Sequence, residues 1–489
     1  MIHVSDLLHA RRCSRFAWNK KNNALPYESF YHLEQPFSEL WAKYLQIEES
    51  GKGSVGDTNE DTMKLLEEHD IVRYARFEYL GCRTKIPVLK KVENGYKAIY
   101  PFLSAYPKES ESLLMKINTE ILSHCGISVV EHEIVYLKKD YVRQDKLDLN
   151  ELFGMSDCLF NRRNNPGKSI VELMDKIDLN LEEWIQETRD IVEGECPEVC
   201  RTKNCTAGRR CSYYDSCFDE SELVDDSVLF LTTSKEKISA YEQGIEHMKD
   251  MDPESIEGFP LQYAQIMASN LGGVFCDRFA LNEWMESIQY PISYLDFEWD
   301  TFAIPPYKGM KPFDVLCFQY SLHVEEKDGT LQHLDFFGSK DCRIAFVESI
   351  LKNVPKSGSI LVYNMEGAEK LRLIQLGQQF PQYAEQLKQI YSRMIDLSKP
   401  FEHGLFYDSR MRGHYSLKNV LPVFSTEYSY QDLEIQNGMV AVHAYRTYDM
   451  VKEEEKEQIC ENIRTYCAMD TFAEYIVYHG LEKYKQLKF

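Results

Sequence analysis

The stretch that most constrains this chain is Pro291-Ile292-Ser293-Tyr294-Leu295-Asp296-Phe297-Glu298. Apolar residues lead into two acids one residue apart. Side chains of a strand alternate faces, so in a strand Asp296 and Glu298 share one face and Leu295 and Phe297 the other. Neighbouring carboxylates repel. Such a pair sits on a solvated strand face, or it is held together by hard cations such as Mg²⁺ or Mn²⁺.

The residues that follow bear on this choice. Val315–Val324 and Leu331–Phe337 read as strands and Arg343–Asn353 as a helix. Ser359–Tyr363 reads as a buried strand ending at Asn364, and Gly367–Gln375 opens the next helix, giving an α/β pattern. Acids recur in this frame. Glu369 lies on the helix after the buried strand, with Glu366 as an alternative at the turn itself. Tyr466 and Asp470 stand four apart in a helix and so share a face. Four carboxylates drawn from a strand, a post-strand helix and a C-terminal helix are what a two-metal phosphodiesterase requires. Tyr466 is placed to orient or deprotonate a water.

A length of 489 residues allows two or three domains. The net charge of −22 argues against nonspecific coating of nucleic acid or anionic membrane, but is compatible with a nuclease that spends acids on cations. No apolar run approaches membrane-spanning length, and the first residues lack a secretory apolar core, so no membrane partner and a cytoplasmic location are expected.

In the front half, residues 5–22 read as one amphipathic helix with Cys13 in its middle, as a buried small hydrophobe when taken alone. Residues 23–68 read as largely helical, interrupted near Gly51-Lys52-Gly53-Ser54. Strands at Ile71–Tyr79, Thr84–Leu89, Tyr96–Phe102 and Ser128–Leu137, with a helix at Lys108–Cys125, make a further α/β unit. Cys196, Cys200, Cys205, Cys211 and Cys217 fall within 22 residues, flanked by Arg201, Lys203, Arg209 and Arg210. Thiols so dense in an intracellular chain point to metal or iron–sulfur ligation; zinc within the cluster is the rival reading.

The rear acids resemble those of DnaQ-like exonucleases of the RNase H-like fold, in the subclass whose last motif is Tyr-x-x-x-Asp. Asp296 and Glu298 correspond to the first motif, Glu369 to a middle motif that is usually Asp, and Asp470 with Tyr466 to the last. Asp396 falls where relatives carry a supporting residue rather than a ligand. The chain also resembles bacterial proteins carrying the domain of unknown function numbered 2779. The matching stretches include Ala303-Ile304-Pro305-Pro306, Phe318–His323, Ile360–Asn364, Tyr415–Pro422 and Tyr466–Thr471. In that family the front half looks like a RecB-like PD-(D/E)xK nuclease. Its [4Fe-4S] cluster is held by one early and three late cysteines, here Cys13, Cys205, Cys211 and Cys217, with Cys196 and Cys200 as alternative ligands.

The front catalytic positions depart from that pattern: Pro87 stands where the Asp belongs and Tyr96–Pro101 holds no Glu-x-Lys. An alternative front site at Asp157 and Glu172 has Met174 where lysine is needed. The resemblance therefore implies a degenerate RecB-like restriction-endonuclease-type α/β domain over residues 1–225, with a cysteine-ligated cluster. A helical connector follows at 226–288, and a DnaQ-like, RNase H-like exonuclease domain at 289–489. It implies 3′–5′ exonuclease activity on DNA or RNA with two Mg²⁺ or Mn²⁺ ions. Asn364, His414, Tyr415, Lys418, Arg209 and Arg210 are its candidate contacts to a single-stranded 3′ end. A decayed nucleic-acid-binding scaffold and an active front nuclease are the alternatives.

Overall fold

The computed structural model describes residues 1–25, 37–206 and 210–486. The chain divides into two units. One comprises Met1–Phe218 with Phe302–Asp314, the other Asp219–Thr301 with Val315–Phe489. The division thus falls earlier than residue 225. Most of the segment read as a connector is helical, with one short strand at Val274–Cys276, and it belongs to the second unit.

In the first unit, period-two patterning over residues 71–137 becomes a mixed sheet. Ile71–Tyr79, Cys82–Val92 and Gly95–Pro101 run antiparallel in turn, and Val129–Leu137 lies parallel to the last of them. Leu80 and Gly81 both take positive φ, 48° and 73°, as a two-residue hairpin turn demands. The helix Ser112–His124 buries Met115, Ile121 and Leu122 in one core with Phe77, Ile86, Leu89 and Ile134. Each such side chain contributes about 1.5–3 kcal/mol.

The single helix expected over residues 5–22 is instead two, Val4–Arg12 and Ser14–Asn22. Cys13 between them is extended, at φ −172° and ψ 129°. The break frees the Arg12 carbonyl, which accepts a hydrogen bond from the Asn204 side chain at 3.2 Å. A long-range contact interrupts a locally amphipathic pattern.

The second unit is built on a five-stranded sheet: β1 (Ile292–Thr301), β2 (Val315–Glu325), β3 (Leu331–Phe337), β4 (Ser359–Val362) and β5 (Met394–Asp396), in the order β3-β2-β1-β4-β5. β1 to β3 are antiparallel neighbours; β4 is parallel to β1, and β5 to β4. Parallel neighbours need crossovers, which pass through helices, including α1 (Glu369–Gln379) between β4 and β5. Leu295 and Phe297 pack into a core with Phe346, Val347, Ile350, Ile360 and Leu373. The long helix α4 (Glu453–Gln486) covers the opposite face, where Ser321 and His323 both reach the Thr471 hydroxyl at 2.8 Å. Every residue of β2 is buried, its polar Gln319, Ser321, His323 and Glu325 included. Among the described residues, no helix is long and apolar enough to cross a membrane.

Candidate functional site

β1 carries Asp296 opposite Ser321 and Glu298 opposite Gln319, with a bulge between Glu298 and Trp299. Both acids lie on the side covered by α4. Donor atoms of Asp296, Glu298 and Cys467 all lie within 4.8 Å of one another. The Cys467 thiol donates to Asp296 Oδ2 at 3.4 Å. One turn of α4 sets Asp470 beside them, where it accepts from the Tyr430 hydroxyl at 2.7 Å and from Tyr466. Glu369, in the first turn of α1, is 1% exposed and its Oε2 has no hydrogen-bond partner. Glu474, one turn beyond Asp470, is also 1% exposed, and neither of its oxygens has a partner.

This crowding has an electrostatic signature. Burial pushes the carboxyl groups of Asp296, Glu298, Glu369 and Glu474 well above the usual range, and Asp296 or Asp470 adds repulsion to each of them. Burial raises Asp470 to about 6 against the stabilising pull of Tyr430 and Lys418. Two like charges 4.8 Å apart repel by about 3.5 kcal/mol at an effective dielectric of 20. Lys418, on α2 (Leu417–Phe424), lies over the Tyr430 and Tyr466 rings at 5.0 and 5.2 Å and pulls on Asp296, Glu298 and Asp470. One ammonium does not neutralise five carboxylates. The balance requires protons or further cations, and an oxygen-rich donor set suits Mg²⁺ or Mn²⁺. Burial and Asp470 raise the Tyr466 phenol far above its ordinary value, so it stays a hydrogen-bond donor.

The neighbouring residues sort by contact. Asp396 is fully engaged: it accepts from the Asn364 and Met365 amides at 3.0 Å and from the Ser398 amide and hydroxyl at 2.9 and 2.6 Å. It thereby fixes the turn into α1, where Asn364 takes a φ of 64°. Glu366 is exposed and paired with Lys370, away from the acids that Glu369 joins. Tyr415 is half-buried, its carbonyl accepting from the Tyr363 hydroxyl, and His414 is exposed. Gly438 opens α3 (Gly438–Tyr448), and a Cβ there would lie 3.5 Å from Glu298 Oε2. Arg446, on the same helix, holds buried Asp300 at 2.7 Å through two nitrogens.

In the first unit, Cys13, Cys205, Cys211 and Cys217 line one small cavity with Cys200, Phe16, Tyr213 and Tyr214. The Cys217 thiol, raised mainly by burial, feels those of Cys211, Cys13 and Cys205. Cys196 does not line the cavity. Four thiols suit a thiolate-bound metal or cluster. A tetrahedral zinc site, with bonds of about 2.3 Å, needs sulfurs about 3.8 Å apart. Among the described residues, no three of these thiols lie within 4.8 Å of one another. Arg210 pairs with Asp215 at 2.6 Å and stacks on Tyr214; Arg209 lies outside the described residues.

Pro87 sits on the Cys82–Val92 strand where the pairing skips Tyr74, a place that suits a residue with no amide to donate. Asp157 is exposed. Glu172 is spent on a helix start, its carboxylate accepting from the Ser169 amide at 3.2 Å.

Sequence reasoning missed Glu474 and Tyr430. Glu474 extends the four-residue spacing of Tyr466 and Asp470 along α4 and was legible in principle; nothing local marks Tyr430. No curated protein and no solved structure matches the chain. Residues 293–416 match the family model described as Domain of unknown function (DUF2779), a span that holds Asp296, Glu298 and Glu369 and stops short of Tyr466, Asp470 and Glu474.

Proposed function

We propose that the second unit is a metal-dependent nuclease, an RNase H-like, DnaQ-like 3′–5′ exonuclease acting on DNA or RNA. The observation that carries this reading is the buried gathering of Asp296, Glu298, Glu369, Asp470 and Glu474 around the central strand of a mixed sheet, with orphaned oxygens on Glu369 and Glu474. An unpaired buried carboxylate costs several kcal/mol, and a cation removes that cost. Asp296, Glu298, Glu369 and Asp470 would hold two divalent ions, with Glu474 completing the set. The ions would supply the charge neutralisation that phosphodiester hydrolysis needs. Tyr466, kept protonated and hydrogen-bonded to Asp470, orients the attacking water rather than deprotonating it. Lys418 offers its charge to a strand phosphate at the edge of the acids.

We read the first unit as a degenerate RecB-like domain whose Cys13, Cys205, Cys211 and Cys217 hold an iron–sulfur cluster. The four thiols lining one cavity, and the proline at position 87, support this. The test of the nuclease is Mn²⁺-dependent shortening of end-labelled single-stranded DNA and RNA. Wild type shortens them from the 3′ end and Asp296→Ala does not. An inert wild type, or equal activity in the variant, removes the enzyme and leaves a binding protein.

A further inference from the structure

A second site of opposite charge lies in the first unit. A cavity of about 290 Å³ is lined by His3, Ser5, Arg76, Arg83, Lys85 and Asn118, together with Thr84, Pro87 and Tyr100. No acid lines it. The chain has 78 acidic residues against 56 basic ones, so cations ordinarily find partners. Here, among the described residues, Arg76, Arg83 and Lys85 make no ion pair with any carboxylate. The Nε atoms of Arg76 and Arg83 are buried without a hydrogen-bond acceptor. Glu78, across the sheet from Arg83, does not line the cavity.

The sheet register adds a second, independent observation. Arg76 and Lys85 are direct cross-strand partners. Like charges directly opposite one another destabilise an antiparallel pair, and a carboxylate at either position would relieve the conflict. The Lys85 ammonium is over the Tyr74 ring at 5.6 Å, which holds it without neutralising it. The Arg76 and Arg83 side chains, the latter also donating through Nη2 to the Asp57 carbonyl, join the Lys85 ammonium and the Ser5 hydroxyl along the cavity wall, a donor set that matches a tetrahedral oxyanion. Guanidinium groups bind phosphate through charge-assisted, geometrically matched hydrogen bonds.

We propose that this cavity is a phosphate-binding site that takes a phosphoryl group, of a strand end or of a free mononucleotide, without a metal. The inference stands apart from the exonuclease reading: it uses no residue of the second unit and predicts binding, not cleavage.

The experiment measures thermal stabilisation and calorimetric binding of the full-length protein with inorganic phosphate, AMP, and one oligonucleotide prepared with a 5′-phosphate or a 5′-hydroxyl. All are run in chelator to silence metal sites. Inorganic phosphate and AMP are expected to bind wild type, and Lys85→Gln and Arg76→Gln each weaken them about tenfold, the loss of one charge-assisted bond. Lys85 is exposed, so its variant keeps the fold if the Arg76 variant does not. Displacement of phosphate by the 5′-phosphorylated strand alone assigns the site to strand ends, and displacement by AMP alone assigns it to free nucleotides. Absence of phosphate binding to wild type, or equal binding by wild type and Lys85→Gln, overturns the proposal.

Discussion

The two units use a similar device with opposite sign. Each has a mixed sheet with a charged group on one face. In the second unit four carboxylates crowd around that of Asp296 with one lysine beside them. In the first, three cations line a cavity that, among the described residues, no acid lines. Among the described residues, the one group of side chains close enough to share a metal ion, Asp296, Glu298 and Cys467, lies in the second unit. The first unit holds charge suited to an anion and thiols suited to a soft metal. The contrast teaches that what a sheet face can do is read from its uncompensated charge.

The sharpest break of this comparison is neutralising a single acid. Asp296→Asn should remove Mn²⁺-dependent cleavage by more than the 10–100-fold typical of residues that only support metal ligands. In metal-free protein it should raise the Tm, because one of several repelling charges is gone. A supporting residue would lose activity without that gain. Glu474→Gln comes next: if it is a ligand, Mn²⁺ affinity falls about 10–100-fold and the metal-free Tm rises. Unchanged Mn²⁺ affinity by calorimetry would return Glu474 to a protonated core residue.

Acidity sharpens the contrast further. The carboxyl groups of Asp296, Glu298, Glu369 and Glu474 are raised in the folded chain, and Asp470 reaches about 6. A raised folded pKa means their contribution is fully present below the unfolded value of about 4 and is lost as pH rises through the folded values. Metal-free protein should therefore lose second-unit stability from about pH 4 upward. His323, lowered to about 4 by burial, and its neighbour His333, also lowered by burial, oppose this. Mn²⁺ should raise the Tm more at pH 8 than at pH 5.5. An equal rise at both would mean that the ion binds elsewhere.

Much of this was legible in the sequence. Ile71–Tyr79, Leu331–Phe337 and Arg343–Asn353 form the elements their patterning announced, because burial on one face imposes period two or 3.6. Asp296, Glu298, Glu369 and Asp470 could be picked out because strand ends and helix turns fix where such side chains project. The rest depends on contacts distant in the chain. The break at Cys13 answers to Asn204, 191 positions away. Phe302–Asp314 interrupts the second unit's sequence yet clusters with the first, and Ala303 and Ile304 pack with Val88 and Leu137. The surplus of positive charge between Arg76 and Lys85 appears only once the register pairs them.

The smallest expected effect lies in the first unit and runs the other way with pH. His132, on Val129–Leu137, is 5% exposed, its Nδ1 has no partner, and burial lowers its pKa to about 4. A lowered folded value means the neutral ring contributes stability above about pH 6.5 that is lost as pH falls toward 4. Amide exchange in Val129–Leu137 should accelerate between pH 6.5 and 4, after correction for the intrinsic rate, while metal-free β1 becomes better protected. His132→Phe should flatten the first response and leave the second intact. If both strands respond alike in wild type, burial of His132 does not set the first unit's response, and the contrast between the units reduces to ligand chemistry alone.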